Sequence, residues 1–199
     1  MIPTTAEGAL TKLRNAITAA LLAFSPMAAA AGGPFAVDGI SFEYGDSDSS
    51  NSEVTLYRVG LQWDWKKRWL ETGGWHLGGY WDLSLGYWDN RTRAPLKTHG
   101  SITDIGLTPV LRFQQTNPRG LSPYAEAGIG FHALSATSVS TERRFSTQFQ
   151  FGDHVGFGVR FGEKGEFDLG YRYQHLSNAD IKKPNQGISF HQIRLQYHF

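Results

Sequence analysis

Regular alternation of apolar and polar side chains dominates the sequence from residue 35 to the C-terminus. A period of two places successive side chains on opposite faces of a β-strand, and no stretch sustains the i, i+3, i+4, i+7 pattern of an amphipathic helix. The alternation therefore predicts an all-β fold with eight strands. They cover residues 40–44, 57–65, 76–87, 104–113, 125–132, 149–161, 167–177 and 192–199.

The connections between these strands differ in length at the two ends of the fold. The segments 45–52, 89–101, 135–148 and 178–187 are polar and mostly long, whereas the other connections are the tight turn Glu163-Lys164-Gly165 and the segments 66–74 and 115–122. An even number of strands with long loops at one end and shorter turns at the other is typical of an antiparallel up-and-down barrel.

The two faces of the predicted strands decide whether this barrel is soluble or crosses a membrane. A lipocalin-like barrel turns its apolar face inward, whereas a transmembrane barrel turns it toward lipid. The apolar face here carries aromatic residues near the strand ends, such as Trp63, Trp81 and Tyr171, as in membrane-interface girdles. The final residue, Phe199, resembles the C-terminal residue of bacterial outer-membrane barrels. We therefore expect an eight-stranded transmembrane barrel of the outer membrane.

The polar face of the predicted strands would then line the lumen. An eight-stranded barrel is just wide enough for side chains to fill its interior. Charged residues of both signs on this face are expected to pair there: Arg58, Asp64, Asp82, Asp104, Arg112, Glu126, Arg160, Asp168, Arg172 and Arg194.

Residues 1–31 are typical of a cleaved secretory signal peptide. Lys12 and Arg14 precede the apolar run 16–24, a proline interrupts that run, and an Ala-rich stretch follows. The mature barrel would then comprise residues 32–199. The alternative interpretation is an amphipathic N-terminal helix.

Composition excludes several other classes of protein. The chain has no Cys, which rules out disulfides, thiolate metal sites and a cysteine nucleophile. Its formal net charge of +1 gives no strong basic field for nucleic acid. Its mean hydropathy of -0.35 resembles that of a soluble protein, because it averages an apolar wall with a charged lumen. No metal site is expected, and these histidines should be satisfied in the lumen: His76, His132, His154 and His198.

A polar break interrupts the apolar face of the seventh predicted strand. Its outward positions run from Phe167 through Tyr173 and continue with His175 and Ser177. Side chains at i and i+2 of a strand lie side by side, roughly 7 Å apart at the backbone. A Ser hydroxyl becomes nucleophilic when a base takes its proton, and His does so near neutral pH. The pair is a candidate catalytic site, although polar residues at headgroup level are the simpler interpretation of such spacing.

Around this pair the sequence resembles the PagL-type lipid A 3-O-deacylases, esterases of the Gram-negative outer membrane. The resemblance lies in H-x-S-N-A at 175–179 followed by K-x-P-N-x-G at 182–187. It implies an eight-stranded barrel with its site on the lipid-facing wall, lipid A in the outer leaflet as substrate, and no cofactor. It also implies that His175 is the general base, Ser177 the nucleophile and Asn178 a residue important for activity.

The implied reaction is attack on the ester at position 3 of lipid A, which gives an acyl-enzyme and then a free 3-hydroxy fatty acid. Negative charge develops on the carbonyl oxygen and needs hydrogen-bond donors. Asn178 and the backbone N–H groups near Ala179 and Asp180 are the candidates. Asp180 departs from the family pattern, which has Gly at that position.

The acid of the implied Ser-His-acid triad is missing from its usual position. The family has a Glu fourteen residues after the His, where this chain has Ser189. Ser189 could orient the imidazole without supplying charge, the protein could be weakly active or inactive, or another carboxylate could act instead. If Lys164 centres the hairpin of the sixth and seventh strands, Asp153 lies opposite His175 on the same outward face. We take Asp153 as the candidate acid, with Ser189 and the loop carboxylate Asp180 as alternatives.

Two other classes of function stay open on the sequence alone. A non-enzymatic barrel, such as an adhesin or structural protein, would explain the strands and girdles but not His175 and Ser177. An enzyme with its site in the lumen would need an inward Ser-His pair, and Ser84 and His76 are too far apart on one strand. The outward His191 is expected to be interfacial rather than catalytic. A homodimer is left open, and nucleic acid is not expected as a partner.

Overall fold

The computed structural model describes residues 36–48 and 52–199, so the predicted signal peptide at 1–31 lies outside the described residues. Among the described residues, no helix is long and apolar enough to cross a membrane. Nine strands make up the described fold: β1 (Gly39–Ser47), β2 (Val54–Asp64), β3 (Trp69–Thr72), β4 (Trp75–Asn90), β5 (Ser101–Gln115), β6 (Ser122–Leu134), β7 (Phe149–Phe161), β8 (Phe167–Ser177) and β9 (Ile188–His198).

Eight of these strands close into an antiparallel barrel, as the alternation predicts. The strands follow one another in the order β2-β1-β9-β8-β7-β6-β5-β4, and pairing of β2 with β4 completes the ring. The ninth strand, β3, is four residues long and pairs with the start of β4. The segment 66–74, predicted as a connection, is therefore partly a strand. The reason is that β4 extends beyond its last pairing with β2, Tyr80 with Asp64, and β3 covers the projecting part.

The outer wall of the barrel is apolar. Side chains such as Ile129, Val155 and Phe157 are more than half exposed, although they lie in the middle of long strands. A contiguous apolar surface of this kind is unfavourable in water and favourable against hydrocarbon. The wall is therefore the lipid-facing surface of a transmembrane barrel, as predicted.

The lumen is filled by charged side chains that pair with one another. Arg172 lies in the middle of this network, with Nη1 2.8 Å from Glu43 Oε1 and Nε 2.6 Å from Glu126 Oε1. Arg112 Nη2 and Nη1 lie 2.7 Å from Glu126 Oε2 and 2.8 Å from Asp168 Oδ2. Burying a charge is costly unless it is paired and hydrogen-bonded, so each ion requires its partners. Glu43, absent from the residues expected to pair here, is one of the network's main acids.

Two residues expected to pair in the lumen lie outside the network. Asp64 is exposed where β2 ends, and Arg160 Nε donates to the Gly165 carbonyl at 2.8 Å in the turn after β7. Both residues line a cavity of about 330 Å³ at the short-turn end of the barrel. Water can reach side chains at this end, so they do not need an ionic partner.

At the long-loop end, an apolar cluster closes the lumen. The Trp88 ring packs edge-on against Phe145 and Phe190, with ring centroids 6.2 Å and 5.0 Å away. Leu176 belongs to the same cluster and is fully buried. Its burial anchors the end of β8. The whole cluster comprises Val54, Leu56, Trp88, Ile102, Leu134, Ala136, Val139, Phe145, Leu176, Ile188 and Phe190.

Candidate active site

The end of β8 presents two polar side chains on the otherwise apolar outer wall. His175 and Ser177 are both partly exposed, whereas Leu176 between them is buried in the apolar cluster. Because side chains alternate along a strand, the burial of Leu176 directs both polar neighbours outward. This is the direction that the sequence predicts for them.

A row of directly opposed residues passes through His175. Its partner on β7 is Asp153, and its partner on β9 is Ser189. The register inferred from a hairpin centred on Lys164 is thus the observed one. The imidazole is in hydrogen-bond contact with the β9 partner, since His175 Nδ1 lies 2.9 Å from Ser189 Oγ. The Asp153 carboxylate makes no hydrogen bond to any residue that the structure describes.

Gly187 fixes the other edge of the imidazole. A Cβ built on Gly187 would lie 2.7 Å from His175 Cε1 and 2.9 Å from His175 Nε2, closer than real Cβ atoms approach. Gly187 also has a φ of +58°, in the left-handed region that favours glycine. Only a residue without a side chain lets the backbone lie against the ring in this way.

The two ring nitrogens of His175 therefore lie next to different residues, Nδ1 next to Ser189 and Nε2 next to Gly187. The pairing of Leu176 with Ile188 continues in register to place Gly187 opposite Ser177. Nε2 is thus directed toward the level of Ser177, while Nδ1 faces Ser189. Among the described residues there is no hydrogen bond between Ser177 Oγ and His175 Nε2. Such bonds are often long in the free enzyme and tighten when substrate binds.

Asn178 holds the loop that follows Ser177. Its side chain is fully buried, and Nδ2 donates to the Phe145 carbonyl at 2.6 Å and to the Lys182 carbonyl at 2.8 Å. Its backbone N–H donates to Asn185 Oδ1 at 3.1 Å. Both amide hydrogens are occupied by loop carbonyls, so the contacts of Asn178 are those of a loop-organising residue.

Ala179 and Asp180 form a strained turn directly after Asn178. Their φ angles are +51° and +62°, a conformation that Gly adopts freely and Asp tolerates better than most residues. The resemblance implies Gly at position 180, where the Asp180 side chain accepts a hydrogen bond from Asn185 Nδ2 at 3.3 Å. Neither N–H donates a hydrogen bond to a described residue.

The β6–β7 loop supports the segment that carries Gly187. Arg143 Nη1 donates to the Gly187 carbonyl, and the Arg144 N–H donates to Gln186 Oε1 at 2.8 Å. Ser146 Oγ donates to the Pro184 carbonyl at 2.6 Å. Partial burial lowers the pKa of the Arg143 guanidinium from its usual value, and the Asp48 carboxylate opposes that shift.

The supporting roles of Gly187 and Arg143 are not predicted from the sequence. Gly187 ends the K-x-P-N-x-G segment, so the resemblance marks it without giving its contact with the imidazole. Arg143 lies in a polar loop far from the motif in sequence. Only the folded loops reveal that it reaches the Gly187 carbonyl.

Other histidines have partners elsewhere, with the exception of His154. Its Nε2 is buried and has no hydrogen-bond partner among the described residues, contrary to the expectation that it is satisfied in the lumen. The outward His191 is hydrogen-bonded to Tyr171, with 2.6 Å between the Tyr171 hydroxyl and His191 Nδ1. In the lumen, His132 Nδ1 lies 2.8 Å from Asp104 Oδ1. No group of three or more His, Asp or Glu residues that could hold a metal ion occurs in the described ranges.

Comparison with known proteins identifies the family to which the chain is similar. The family model for "Lipid A 3-O-deacylase (PagL)" matches residues 55–198. The chain is 34% identical over 137 residues to the lipid A deacylase PagL of Pseudomonas aeruginosa, covering 69% of this chain and 74% of that protein. It is 31% identical over 169 residues to the lipid A deacylase PagL of Bordetella bronchiseptica, covering 81% and 83%. A crystal structure of the outer-membrane enzyme PagL matches with a TM-score of 0.69 at 29% identity, covering 81% of this chain and 99% of that one.

Proposed function

This chain belongs to the PagL family of lipid A 3-O-deacylases, and on that premise we propose that Ser177 and His175 hydrolyse the ester at position 3 of lipid A. The protein is a β-barrel of the bacterial outer membrane, and lipid A lies in the outer leaflet of that membrane. A partly exposed Ser-His pair on the outer wall meets such a substrate without extracting it from the bilayer.

The orientation of the imidazole carries this proposal. With Nδ1 2.9 Å from Ser189 Oγ and Nε2 directed toward the level of Ser177, the ring has the orientation that a general base requires. Nε2 takes the proton of the Ser177 hydroxyl as the oxygen attacks the ester carbonyl. The same proton then passes to the departing sugar hydroxyl. Water attacks the acyl-enzyme by the reverse of these steps and releases a 3-hydroxy fatty acid.

The turn after Asn178 is suited to hold the oxyanion. The N–H groups of Ala179 and Asp180 follow the nucleophile closely and have no acceptor among the described residues. Two such donors stabilise the charge that develops on the carbonyl oxygen. In this proposal Asn178 acts by holding the turn in place, since its amide hydrogens bind the Phe145 and Lys182 carbonyls.

Ser189 orients the imidazole in place of the family's Glu. A hydroxyl accepts the Nδ1 hydrogen and so selects the tautomer in which Nε2 is the base. Asp153 lies opposite His175 but faces the ring from the β7 side, away from Nδ1. We therefore assign the contact with Nδ1 to Ser189 and keep Asp153 as a flanking charge.

The acyl chain of the substrate is expected to lie over the aromatic patch beside Ser177. Phe151 is directly opposite Ser177 on β7, and its ring lies 5.0 Å from Phe149 and 5.9 Å from Phe131 between centroids. These rings face lipid and form a continuous apolar surface next to the nucleophile. A hydrocarbon chain can lie there without leaving an apolar environment.

Mass spectrometry of lipid A tests the proposal. The full chain and its Ser177→Ala variant are expressed in a Gram-negative host whose lipid A keeps its 3-O-acyl chain. We expect loss of one 3-hydroxyacyl chain with the wild type and an unchanged lipid A with the variant. Gain of an acyl chain would indicate a transferase, and no change in either strain would indicate a non-enzymatic barrel or an inactive relative. The wild-type and variant barrels must be present in the outer membrane at equal amounts.

A further inference from the structure

The polar row through His175 continues onto a fourth strand. The β1–β9 register pairs Asp46 with His191, so two residues further along β1, Asp48 falls opposite Ser189. The Asp48 backbone N–H donates to the Ser189 carbonyl at 3.2 Å, which extends the pairing beyond the end of β1. Four directly opposed residues thus cross four neighbouring strands in one row: Asp48, Ser189, His175 and Asp153.

The Asp48 carboxylate lies on the outer face, beside this row. Asp48 has the same parity as the outward Tyr44, and its side chain is exposed. The hydroxyl of Tyr173, two residues before His175 on the same face, donates to Asp48 Oδ2 at 3.0 Å. The other carboxylate oxygen has no hydrogen bond to a described residue, so it is free to accept one.

We propose that Asp48 supplies the carboxylate that the triad lacks and that it acts on His175 through the hydroxyl of Ser189. This inference rests on the proposed function. A Ser hydroxyl accepts and donates at the same time. Ser189 Oγ accepts the Nδ1 hydrogen of His175, and its own hydrogen is directed to Asp48. Directly opposed residues in a sheet have Cβ atoms about 4.5–5.5 Å apart, a gap that a hydroxyl and a carboxylate can bridge.

The charge of Asp48 matters when the imidazole becomes positive. Nε2 of His175 takes the Ser177 proton, and the imidazolium then hands that proton to the leaving oxygen, so the proton on Nδ1 stays where it is. A carboxylate at the end of the hydrogen-bond chain stabilises this cation, as the acid of a triad does. Asp48 also interacts electrostatically with Arg143, whose charge would otherwise disfavour an imidazolium nearby.

Asp48 is better placed for this role than Asp153. Nδ1 of His175 is directed toward β9, where Ser189 and then Asp48 follow. Asp153 flanks the ring on the β7 side, where no described atom joins its carboxylate to the imidazole. Among the described residues Ser189 Oγ and the Asp48 carboxylate form no hydrogen bond, so the path requires the exposed carboxylate to turn toward the hydroxyl while Ser189 keeps its contact with Nδ1.

Substitution of Asp48 in the full chain tests this positioning role. We expect Asp48→Asn to lower kcat about tenfold with little change in KM, because the lost bond involves a charged group that does not touch substrate. Asp48→Glu should restore most of the rate. Asp46→Asn is the matched control, since Asp46 lies on the same face one row away and bonds to Thr55 and Arg91. A kcat for Asp48→Asn within twofold of the wild type would overturn the proposal.

A double-mutant cycle separates the relay from a structural effect of Asp48. In a Ser189→Ala background the relay is already broken, and in a Ser189→Glu background the acid is supplied directly. We expect Asp48→Asn to change kcat by less than twofold in either background. An equal tenfold loss in all three backgrounds would mean that Asp48 acts only on the shape of the loop.

The wild type and Ser177→Ala keep the two proposals distinguishable. If the wild type releases 3-hydroxy fatty acid and Ser177→Ala does not, the deacylase assignment holds whatever Asp48→Asn does. Absence of release from the wild type overturns the deacylase assignment and, with it, the role of Asp48. A normal rate with Asp48→Asn overturns the role of Asp48 alone.

Discussion

His175 Nδ1 lies 2.9 Å from the hydroxyl of Ser189, at the position where the resemblance to the PagL family implies a Glu. The contact keeps the orientation of the imidazole and removes the charge that would normally be next to it. The acid of a triad both orients the imidazole and stabilises its positive charge. In this chain Ser189 can do only the first.

Replacing Ser189 by Glu should raise the rate. A carboxylate in contact with Nδ1 stabilises the imidazolium, so we expect Ser189→Glu to increase kcat at least about tenfold at unchanged expression. Initial rates of 3-hydroxy fatty acid release measure the effect. The gain must disappear when Ser177→Ala is combined with it. A folded Ser189→Glu barrel with wild-type or lower kcat would show that charge at this position does not limit the reaction.

Replacing Gly187 by Ala should displace the imidazole. The added Cβ would come within 2.9 Å of His175 Nε2, so we expect kcat to fall about a hundredfold with the barrel intact. Gly120→Ala is the control, because Gly120 also has a positive φ of +61° but a Cβ there meets nothing within 4 Å. The two variants share the backbone strain and differ in the clash with the ring. Equal activity of the two would contradict the placement of Gly187 against the imidazole.

Replacing Asn178 by Ala should release the turn that holds the proposed oxyanion donors. The change removes two hydrogen bonds, to the Phe145 and Lys182 carbonyls, and we expect kcat to drop more than about tenfold. Asn90→Ala is a fair comparison, since Asn90 is also buried and its Nδ2 bonds to the His99 and Val139 carbonyls. Both variants lose loop contacts worth about 1–3 kcal/mol of stability. If Asn90→Ala impairs deacylation as much as Asn178→Ala, general loosening of the loops explains both.

Shortening Phe151 should weaken substrate binding more than chemistry. Phe151 lies directly opposite Ser177, and Phe151→Ala removes apolar area from the proposed acyl surface. We expect kcat/KM to fall about tenfold, mainly through KM, since a buried aromatic side chain contributes about 1.5–3 kcal/mol. Phe157→Ala, six residues along the same strand and opposite Tyr171, serves as the control. A similar loss in both variants would place the acyl chain elsewhere.

Breaking the lumen network should destabilise the barrel without changing the site's chemistry. Arg172 donates to three buried carboxylates, those of Glu43, Asp82 and Glu126, and to the Tyr80 hydroxyl. Arg172→Met therefore leaves three buried carboxylates short of a partner. The expected cost is about 3–5 kcal/mol in the free energy of unfolding, measured by urea titration in lipid vesicles. Arg91→Met removes an exposed pair with Asp46 and should cost less than about 1 kcal/mol. Equal costs for the two would mean that the buried network contributes little.

The alternation in the sequence determines most of the barrel. It predicts the eight strands, the outward direction of His175 and Ser177, and the pairing of Asp153 with His175, because side-chain parity and a short turn leave little freedom in register. It does not predict β3, since that strand exists only where β4 projects beyond β2.

The contacts that hold the candidate site in place are harder to predict from the sequence than the strands are. The contact of Arg143 with Gly187 joins two irregular loops, and the alignment of Asp48 with Ser189 depends on β1 meeting β9 at the closure of the barrel. Neither follows from a periodic pattern, because both join segments that are distant in the sequence. The resemblance marks Asn178, but only the folded loops show that its amide hydrogens are already used.

If His175 and Ser177 are the catalytic pair as proposed, their position on the outer wall makes deacylation a surface reaction in two dimensions. Substrate reaches the pair by lateral diffusion within one leaflet, and the released fatty acid can stay in the same leaflet. The rate should therefore follow the mole fraction of lipid A among the membrane lipids. Adding more vesicles of the same composition should leave the turnover of each embedded enzyme unchanged, whereas diluting lipid A with inert phospholipid should lower it.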